Sequence, residues 1–392
     1  MIGISKLYCG TVEASDPLRY GRHSKELPSH LLQFSSDKKP VVVWNATAAC
    51  NLKCVHCYAS AGMKQAKNEL STQEGLDLIE DLKDYGSPVI LFSGGEPLMR
   101  QDLTKLIDKA VKSEMRAVIS TNGTLITQDL AMELSDYGLS YVGVSLDGLQ
   151  EVNDTFRGVQ GAFTAAIKGI YHAMHQGIKV GLRFTMNNRN FVEIPKILDL
   201  LRSEGIPRIC FYHLVYTGRA KELMKEDLTH EQTRQTLDLI MDRTKAMIDA
   251  GQNVEVLTVD NHADGPYVYL RLKGQKDPRS DDVLELLKMN GGNSSGVGIG
   301  CINWDGEVYP DQFWRTKVLG NVRMNPFSEI WEDRSNELLM KLKSKKEHMT
   351  GRCRTCRWLG VCGGNFRARA EAATGDVWGV DPACYLTDEE IS

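Results

Sequence analysis

The sequence predicts an α/β protein, with a partial (β/α)6 barrel of the TIM type followed by a small cysteine-rich domain. Three observations predict this class. From residue 40 onward, short β-branched runs alternate with amphipathic stretches about six times. Polar motifs follow several of these runs, and several cysteines stand close together near the end of the chain. Such alternation favours a parallel sheet with right-handed crossovers, on which functional groups gather at the carboxyl ends of the strands.

The six predicted strands cover residues 40–45, 88–93, 116–120, 140–145, 179–185 and 208–214. The first predicted helix begins at a capping box formed by Ser71 and Glu74. Apolar residues at helical spacing predict further helices over 103–111, 129–137, 162–175 and 191–201, and a long helix over 227–250 that closes the barrel. A helix between consecutive strands is what the crossovers of a parallel sheet require.

We expect four consecutive parts in the chain. Residues 1–38 form an N-terminal leader, 39–250 the barrel, 251–300 a bridging region and 301–392 the auxiliary cysteine domain. The leader favours a solvated strap on the main domain. The alternative is a lid that meets an anionic substrate through Arg19, Tyr20, Arg22, His23 and His30. The Gly, Ser and Asn residues of 289–296 indicate a flexible linker or a loop that binds a carboxylated ligand.

Composition and charge restrict the function classes. The 392 residues carry a formal charge of -4, which gives no sign of nucleic-acid binding. No apolar run approaches the roughly 20 residues of a membrane span, and the start of the chain does not resemble a signal peptide. Ten cysteines without an export signal indicate reduced thiols that hold metal. We therefore expect a cytoplasmic protein of an oxygen-poor environment, with no nucleic-acid or membrane partner.

Three cysteines directly after the first strand, Cys50, Cys54 and Cys57, are the main candidates for a metal site. Three thiolates on one tight loop suit a [4Fe-4S] cluster, whose fourth iron then lacks a protein ligand and can bind something else. A zinc site is the alternative, since clustered cysteines often bind zinc. A disulfide framework fits a reduced compartment less well.

The C-x3-C-x2-C spacing, together with Ser93-Gly94-Gly95-Glu96-Pro97 after the second strand, resembles the radical S-adenosylmethionine (SAM) enzymes. The resemblance implies a partial radical SAM barrel, in which SAM chelates the open iron and is cleaved reductively to methionine and a 5′-deoxyadenosyl radical. It also implies that Gly94, Gly95 and Glu96 hold the methionyl amino group of SAM. A zinc site would explain none of these downstream motifs.

Other residues near the strand ends match segments that line the SAM pocket in this family. The resemblance implies that His56 lies near the adenine, that Asn122 lines the pocket, and that Ser145 and Asp147 contact the ribose hydroxyls. Helix caps or Asx turns are the alternative for these residue types. Arg183 on the fifth strand either meets the SAM carboxylate or pairs with an acid in the core, because a charge inside a barrel needs a partner.

The end of the sixth strand is rich in aromatic and basic side chains. His213, Tyr216 and Arg219 are therefore the candidate catalytic residues of the substrate pocket. A structural role is the alternative for His213, because a histidine beside a strand end is more often structural than a ligand.

Near the carboxyl end stands a second cysteine set, Cys353, Cys356, Cys362 and Cys384. Zinc is the default for such a set in isolation. After a radical SAM barrel, the set resembles the SPASM/twitch extension, which implies one auxiliary [4Fe-4S] cluster. A second auxiliary cluster is not expected, because the partners of Cys301 are missing and Phe366 stands at a position where a cysteine would follow. An auxiliary cluster without an open iron implies a role in electron transfer.

Over its whole length, the chain resembles the haem-biosynthesis branch of the radical SAM family, with segments such as Asp260-Asn261-His262. The resemblance implies an iron tetrapyrrole substrate that loses two acetate side chains, and an electron donor such as a ferredoxin or flavodoxin. His213 or His262 is then a candidate ligand of the substrate iron. One departure from the branch is that Ala48 and Ala49 stand where basic residues are expected.

Three other functions stay open from the sequence. One is a related haem d1 enzyme that removes side chains, another is a SPASM-type peptide maturase, and the third is an iron-sulfur or haem carrier without catalysis. A peptide maturase usually brings a small domain that grips a leader peptide, for which residues 1–38 are too irregular. A carrier would release no 5′-deoxyadenosine from SAM.

Overall fold

The computed structural model describes residues 1–11 and 39–392. The expected strap or lid residues of the leader, Arg19, Tyr20, Arg22, His23 and His30, lie outside the described residues. None of the helices in the described part of the chain combines the length and the apolar character that a membrane crossing requires.

One mixed sheet of 11 strands runs through the described chain. The strands are β1 (Ile2–Gly3), β2 (Val41–Thr47), β3 (Val89–Gly94), β4 (Arg116–Thr121), β5 (Tyr141–Ser145), β6 (Val180–Met186), β7 (Arg208–His213), β8 (Glu255–Val259), β9 (Ile299–Ile302), β10 (Glu307–Tyr309) and β11 (Gly320–Asn321). Their order across the sheet is β1-β8-β7-β6-β5-β4-β3-β2-β9-β10-β11. The pairs from β2 to β8 are parallel, and β9 also pairs in parallel with β2. The six predicted strands correspond to β2 to β7, which confirms the predicted α/β class.

Helices connect most consecutive strands. They are α1 (Ile4–Leu7), α2 (Thr72–Tyr85), α3 (Leu103–Lys112), α4 (Gln128–Asp136), α5 (Gln150–Arg157), α6 (Ala162–His175), α7 (Ile194–Glu204), α8 (His230–Asp249), α9 (Asp264–Gly274), α10 (Ser280–Asn290), α11 (Phe327–Glu332), α12 (Glu337–Lys343), α13 (Leu359–Cys362), α14 (Arg367–Thr374) and α15 (Asp388–Ile391). The predicted capping box begins α2, since the Ser71 hydroxyl accepts from the Glu74 N–H and the Glu74 carboxylate accepts from the Ser71 N–H.

The parallel strands have two different faces, because side chains alternate along a strand. Phe92 and Phe211 point to the main apolar core, which the strands share with the helices. Their neighbours in the chain, Leu91 and Tyr212, line cavities on the opposite face, as does Arg183. The cavities that can hold ligands therefore lie on this second, partly polar face.

The sheet crosses all three expected domain boundaries, since β9 (Ile299–Ile302) also spans the boundary after residue 300. The bridging region 251–300 contributes β8, α9 and α10, and all five residues of β8 are buried. Ile2 and Gly3 of the leader pair antiparallel with Thr258 and Leu257 of β8. The loop 289–296 is not a free linker, because Asn293 and Ser295 are buried in it. Asp305-Gly306, a dipeptide that favours hairpin turns, joins β9 to β10, which pair antiparallel.

Candidate active site

The three-cysteine loop follows β2 and borders a cavity of about 160 Å³ at the carboxyl ends of the strands. All three thiols line this first cavity, and Cys50 and Cys54 are buried. The Cys50 N–H donates to the Gly62 carbonyl oxygen (2.6 Å), and the Arg219 guanidinium donates to the carbonyl oxygens of Cys54 (2.8 Å) and Ala61 (2.9 Å). These bonds fix the loop with its thiols around one space.

The three thiols line one cavity, and the two kinds of metal site that the sequence leaves open differ in how they hold thiolates. Within residues 1–11 and 39–392, no three His, Cys, Asp or Glu side chains converge closely enough on one point to hold a single metal ion. Zinc draws its sulfur ligands to about 2.3 Å from one centre. A [4Fe-4S] cube instead spreads its thiolates over separate corners, as thiols around a cavity can accommodate.

Gly94 and Gly95 pack directly against the cysteine loop. The Gly95 N–H donates to the Thr47 carbonyl oxygen (2.7 Å), and the Glu96 N–H donates to the Ala49 carbonyl oxygen (2.7 Å). Gly94 has φ +129°, and a Cβ there would lie 2.6 Å from the Thr47 carbonyl oxygen. A Cβ at Gly95 would collide with the Ala49 carbonyl oxygen. The close approach of the two segments therefore requires glycine at both positions.

A Gly95→Ala variant is expected to push the cysteine loop away and to cost about 1–3 kcal/mol of stability, as overpacking does. We expect it to retain clearly less iron than the wild type after anaerobic reconstitution, measured as iron atoms per chain. Gly62→Ala is the matched control in the same loop, because a Cβ at Gly62 would meet nothing within 4 Å. Equal iron content in the two variants would contradict the steric argument.

Glu96 is fully buried and joins the ends of β3 and β4. Its carboxylate accepts hydrogen bonds from the Thr121 hydroxyl (2.7 Å), the Asn122 N–H (2.7 Å) and the Leu98 N–H (3.1 Å). Burial raises the pKa of Glu96 to about 7, although these hydrogen bonds lower it. Thr121 and Asn122 line the first cavity, and Glu96 stands behind them. Glu96 thus positions the cavity wall in this structure.

A buried charge cluster supports the cysteine loop. Asp147 pairs with Arg157 (2.5 Å) and with His56 (3.1 Å), and Arg157 also donates to the sulfur of Cys54 (3.6 Å). Burial alone would raise the pKa of Asp147, but Arg157 and His56 hold it at about 2. His56 and Arg157 line the first cavity. The Asp147 carboxylate holds these two side chains and accepts a hydrogen bond from the Thr185 N–H (3.0 Å).

Arg183 and Ser145 also line the first cavity. Arg183 donates to the Tyr212 hydroxyl from Nε (2.9 Å) and from Nη2 (2.6 Å), and it also donates to the Ser120 hydroxyl. In the described chain, the hydrogen-bond partners of Arg183 are thus hydroxyl groups. No acid of the core pairs with it there, although such an acid was one of its two predicted partners. A guanidinium in this position is free to pair with a carboxylate of a ligand.

A second cavity of about 300 Å³ adjoins the first on the same face of the sheet. The two cavities share lining residues, including Arg183, Tyr212, Asp260, Gln312 and Phe313. Asp260 follows β8 in the left-handed region (φ +67°). Its Oδ2 atom is buried without a hydrogen-bond partner in the described chain. Burial raises the pKa of Asp260 to about 7.

The three predicted catalytic residues lie in different surroundings. His213 lines the first cavity, and its Nε2 atom lies 2.9 Å from Asp264 Oδ2. The Tyr216 hydroxyl donates to Asp227 (2.7 Å), and its ring packs in a small apolar cluster. Neither Tyr216 nor Arg219 is one of the described residues that line the two cavities. Arg219 serves the cysteine loop instead, through its bonds to Cys54 and Ala61.

The second cysteine set surrounds a third, small cavity of about 20 Å³, which is lined by Cys353, Cys356, Cys362 and Cys384. Arg369 ties this region to the sheet, and it had no signal in the sequence. It pairs with Asp381 (2.8 Å) and donates to the carbonyl oxygens of Leu214 (3.0 Å) and Asp260 (2.8 Å). The fully buried Arg369 therefore holds the cysteine set against the ends of β7 and β8.

Comparisons with known proteins agree with this geometry. Residues 44–201 match the Radical SAM superfamily, and residues 298–357 match SPASM, an iron-sulfur cluster-binding domain. A protein of Methanosarcina barkeri named Fe-coproporphyrin III synthase is 62% identical over 394 residues, which cover 100% of this chain and 99% of the relative. The chain belongs to the radical SAM superfamily. Pre-heme d1 synthase of Dinoroseobacter shibae is 39% identical over 90% of this radical SAM chain and 87% of the relative.

A solved structure has the same fold at low sequence identity. SuiB of Streptococcus suis, bound to its precursor peptide SuiA, superposes with a TM-score of 0.71 at 18% identity, over 91% of this chain and 79% of SuiB. The protein described here has both a radical SAM region and a SPASM region, and it therefore uses SAM and iron-sulfur clusters.

Proposed function

We propose that this radical SAM enzyme removes the two acetate side chains of 12,18-didecarboxysirohaem and so forms Fe-coproporphyrin III. The observation that carries the proposal is the 62% identity, over 100% of this chain, to a protein named Fe-coproporphyrin III synthase. Two adjoining cavities on the same face of the sheet support it, because a cofactor and a large second reactant can then lie side by side.

The first cavity holds the cofactors in this proposal. Cys50, Cys54 and Cys57 bind a [4Fe-4S] cluster, and the cluster with SAM supplies the 5′-deoxyadenosyl radical that starts the reaction. The side chains and backbone that contact SAM are those of His56, Gly94, Gly95, Asn122 and Ser145. Arg183 lines both cavities, and its guanidinium pairs with a carboxylate of SAM or of the tetrapyrrole. Glu96 and Asp147 hold these residues in place from behind.

The second cavity receives the iron tetrapyrrole. A substrate with several carboxylates needs buried cations, and Arg183 offers a guanidinium whose partners in the described chain are hydroxyls. Tyr212 and Phe313 supply aromatic surface on the wall that both cavities share. The shared wall brings the edge of the macrocycle next to the place where the radical is formed.

Arg183→Gln is expected to weaken the binding of one carboxylated ligand by about 10- to 100-fold, because a charge-assisted bond is worth about 1.5–3 kcal/mol. SAM and Fe-coproporphyrin III are titrated separately, and the ligand whose affinity falls is the one that Arg183 binds. Arg208→Gln is the control, because Arg208 lines the second cavity but already pairs with Glu255 (3.1 Å). Unchanged affinity of Arg183→Gln for both ligands would contradict the proposal that Arg183 binds a ligand carboxylate.

Release of each side chain as acetate requires one electron and one proton. In each cycle the 5′-deoxyadenosyl radical would take a hydrogen atom from the ring carbon next to the one that carries the acetate. The carboxymethyl group would then leave as a radical, while the two ring carbons form a double bond and the methyl group stays in place. One electron from an iron-sulfur donor and one proton would convert the released radical to acetate. We assign the proton to Asp260 Oδ2, which is buried, without a partner in the described chain, on a residue that lines both cavities. A carboxyl with a pKa of about 7 holds its proton in part of the molecules at neutral pH.

The second cysteine set holds one auxiliary [4Fe-4S] cluster in this proposal, with Cys353, Cys356, Cys362 and Cys384 as its four ligands. A cluster with four protein ligands offers no open iron, which favours electron transfer. Arg369 places this set near Asp260, at the side of the substrate cavity. A ferredoxin or flavodoxin is the expected source of the electrons.

Anaerobic incubation with SAM, dithionite and 12,18-didecarboxysirohaem tests the proposal, with mass spectrometry of the tetrapyrrole as the measurement. We expect the loss of two acetate side chains. The haem d1 alternative, which the 39% identity to pre-heme d1 synthase favours, predicts that a different set of side chains is lost. A peptide maturase would cleave SAM and leave the tetrapyrrole unchanged.

A further inference from the structure

We propose that His262 is the axial ligand of the substrate iron. This inference rests on the proposed function, because it requires an iron tetrapyrrole in the second cavity. The sequence leaves His213 and His262 as alternatives, and the structure separates them by what their rings contact.

His213 is already engaged by a protein partner. Its Nε2 atom lies 2.9 Å from Asp264 Oδ2, and the other oxygen of Asp264 accepts a hydrogen bond from the Tyr385 hydroxyl (2.8 Å). His213 also lines the first cavity, among the cysteines, rather than the second. Its ring is therefore a structural link between β7 and α9.

His262 has the burial, position and charge state that are expected of a metal ligand. It lines the second cavity, it is only 7% exposed, and its Nδ1 atom is buried without a hydrogen-bond partner in the described chain. Burial lowers the pKa of His262 well below the ordinary value, so the imidazole is neutral and keeps a lone pair. A buried polar group without a partner is costly unless a ligand satisfies it.

The backbone around His262 is fixed from the cysteine domain. The His262 N–H donates to Asn365 Oδ1 (2.7 Å), and the same Asn365 side chain donates to Asn261 Oδ1 (2.8 Å). Asn261 in turn donates to the Ala383 carbonyl oxygen (2.8 Å). The imidazole is thus held by its main chain, while its Nδ1 atom has no hydrogen-bond partner among the described residues. Iron ligands need this kind of rigid support.

The other potential haem ligands of the second cavity are less suited. Iron in haem proteins is held by His, Cys, Met or Tyr. The Tyr212 hydroxyl accepts two bonds from Arg183, and burial raises the pKa of Tyr141, which keeps its phenol protonated. Cys210 is the remaining buried rival on the cavity wall. The experiment below therefore includes it.

The test uses the full-length protein with ferrous Fe-coproporphyrin III, and resonance Raman spectroscopy reads the iron–histidine stretching band. We expect the band in the wild type and in Cys210→Ala, and we expect its loss in His262→Ala. Added imidazole should restore a nitrogen ligand in His262→Ala. We also expect the affinity for Fe-coproporphyrin III to fall by at least about tenfold in His262→Ala.

Metal-free coproporphyrin III is the matched control for folding and for the cavity itself. It should bind wild type and His262→Ala with equal affinity, because only the iron bond is removed. An iron–histidine band that persists in His262→Ala, or a wild-type complex without this band, would overturn the assignment and leave the proposed function intact. A wild-type protein that binds neither porphyrin would overturn the proposed function as well.

Discussion

A Cys54→Ala variant is expected to form no 5′-deoxyadenosine above the level of a protein-free control. Cys54 lines the first cavity with Cys50 and Cys57, and two thiols cannot anchor a cluster that needs three. Iron should fall from about eight to about four atoms per chain, because only the auxiliary cluster would remain. Anaerobic reconstitution followed by iron analysis and chromatography of the SAM products measures both quantities.

Cys301→Ala is the matched control for this loss. Cys301 is a buried thiol on β9, whose sulfur lies 3.5 Å from the Asn45 side-chain nitrogen, and it does not line either cysteine cavity among the described residues. The control should keep both clusters and full SAM cleavage, at a stability cost of about 1 kcal/mol for the small cavity. Reductive SAM cleavage by Cys54→Ala, or zinc in place of iron in the wild-type loop, would contradict the assignment.

An Asp260→Asn variant is expected to release acetate about 100- to 10,000-fold more slowly, which is the usual contribution of a positioned proton donor. The amide has nearly the same shape and keeps the buried contacts, but it carries no acidic proton. Formation of 5′-deoxyadenosine should continue, so the ratio of acetate to 5′-deoxyadenosine falls. Acetate release at the wild-type rate would show that the proton comes from another group.

The same assignment predicts a pH dependence. Burial raises the pKa of Asp260 to about 7, and Asp311 adds to this, whereas Arg369, the α-amino group of Met1 and His213 lower it. The donor form is the protonated carboxyl, which is present below pH 7 and lost as the pH rises through this value. Acetate formed per 5′-deoxyadenosine should therefore fall as the pH rises from about 6 to about 8. A ratio that rises over this range would contradict the role of Asp260.

Local sequence signals predicted the elements that depend on local physics. The β-branched runs of β2 to β7 and the capping box at Ser71 are each specified by a few neighbouring residues. The cysteine spacing likewise places three thiols on one loop whatever the rest of the chain does. Motifs of this kind were sufficient for the fold class and for the first cavity.

The polar support of the site depends on contacts between distant parts of the chain. Arg157 reaches Cys54 across 103 residues, and Arg369 reaches Leu214 across 155 residues. Neither arginine stands in a motif, so only the fold reveals its partner. The same holds for the ion pair between Asp147 and Arg157, which depends on where α5 packs.

The central claim is that this enzyme removes two acetate side chains and leaves in place the methyl groups that the same ring carbons already carry. Its most direct test is to quantify all products of one anaerobic reaction with SAM, reductant and 12,18-didecarboxysirohaem. We predict one Fe-coproporphyrin III and two acetates, with one 5′-deoxyadenosine formed for each acetate. Formation of 5′-deoxyadenosine with no change in the mass of the tetrapyrrole would contradict the account.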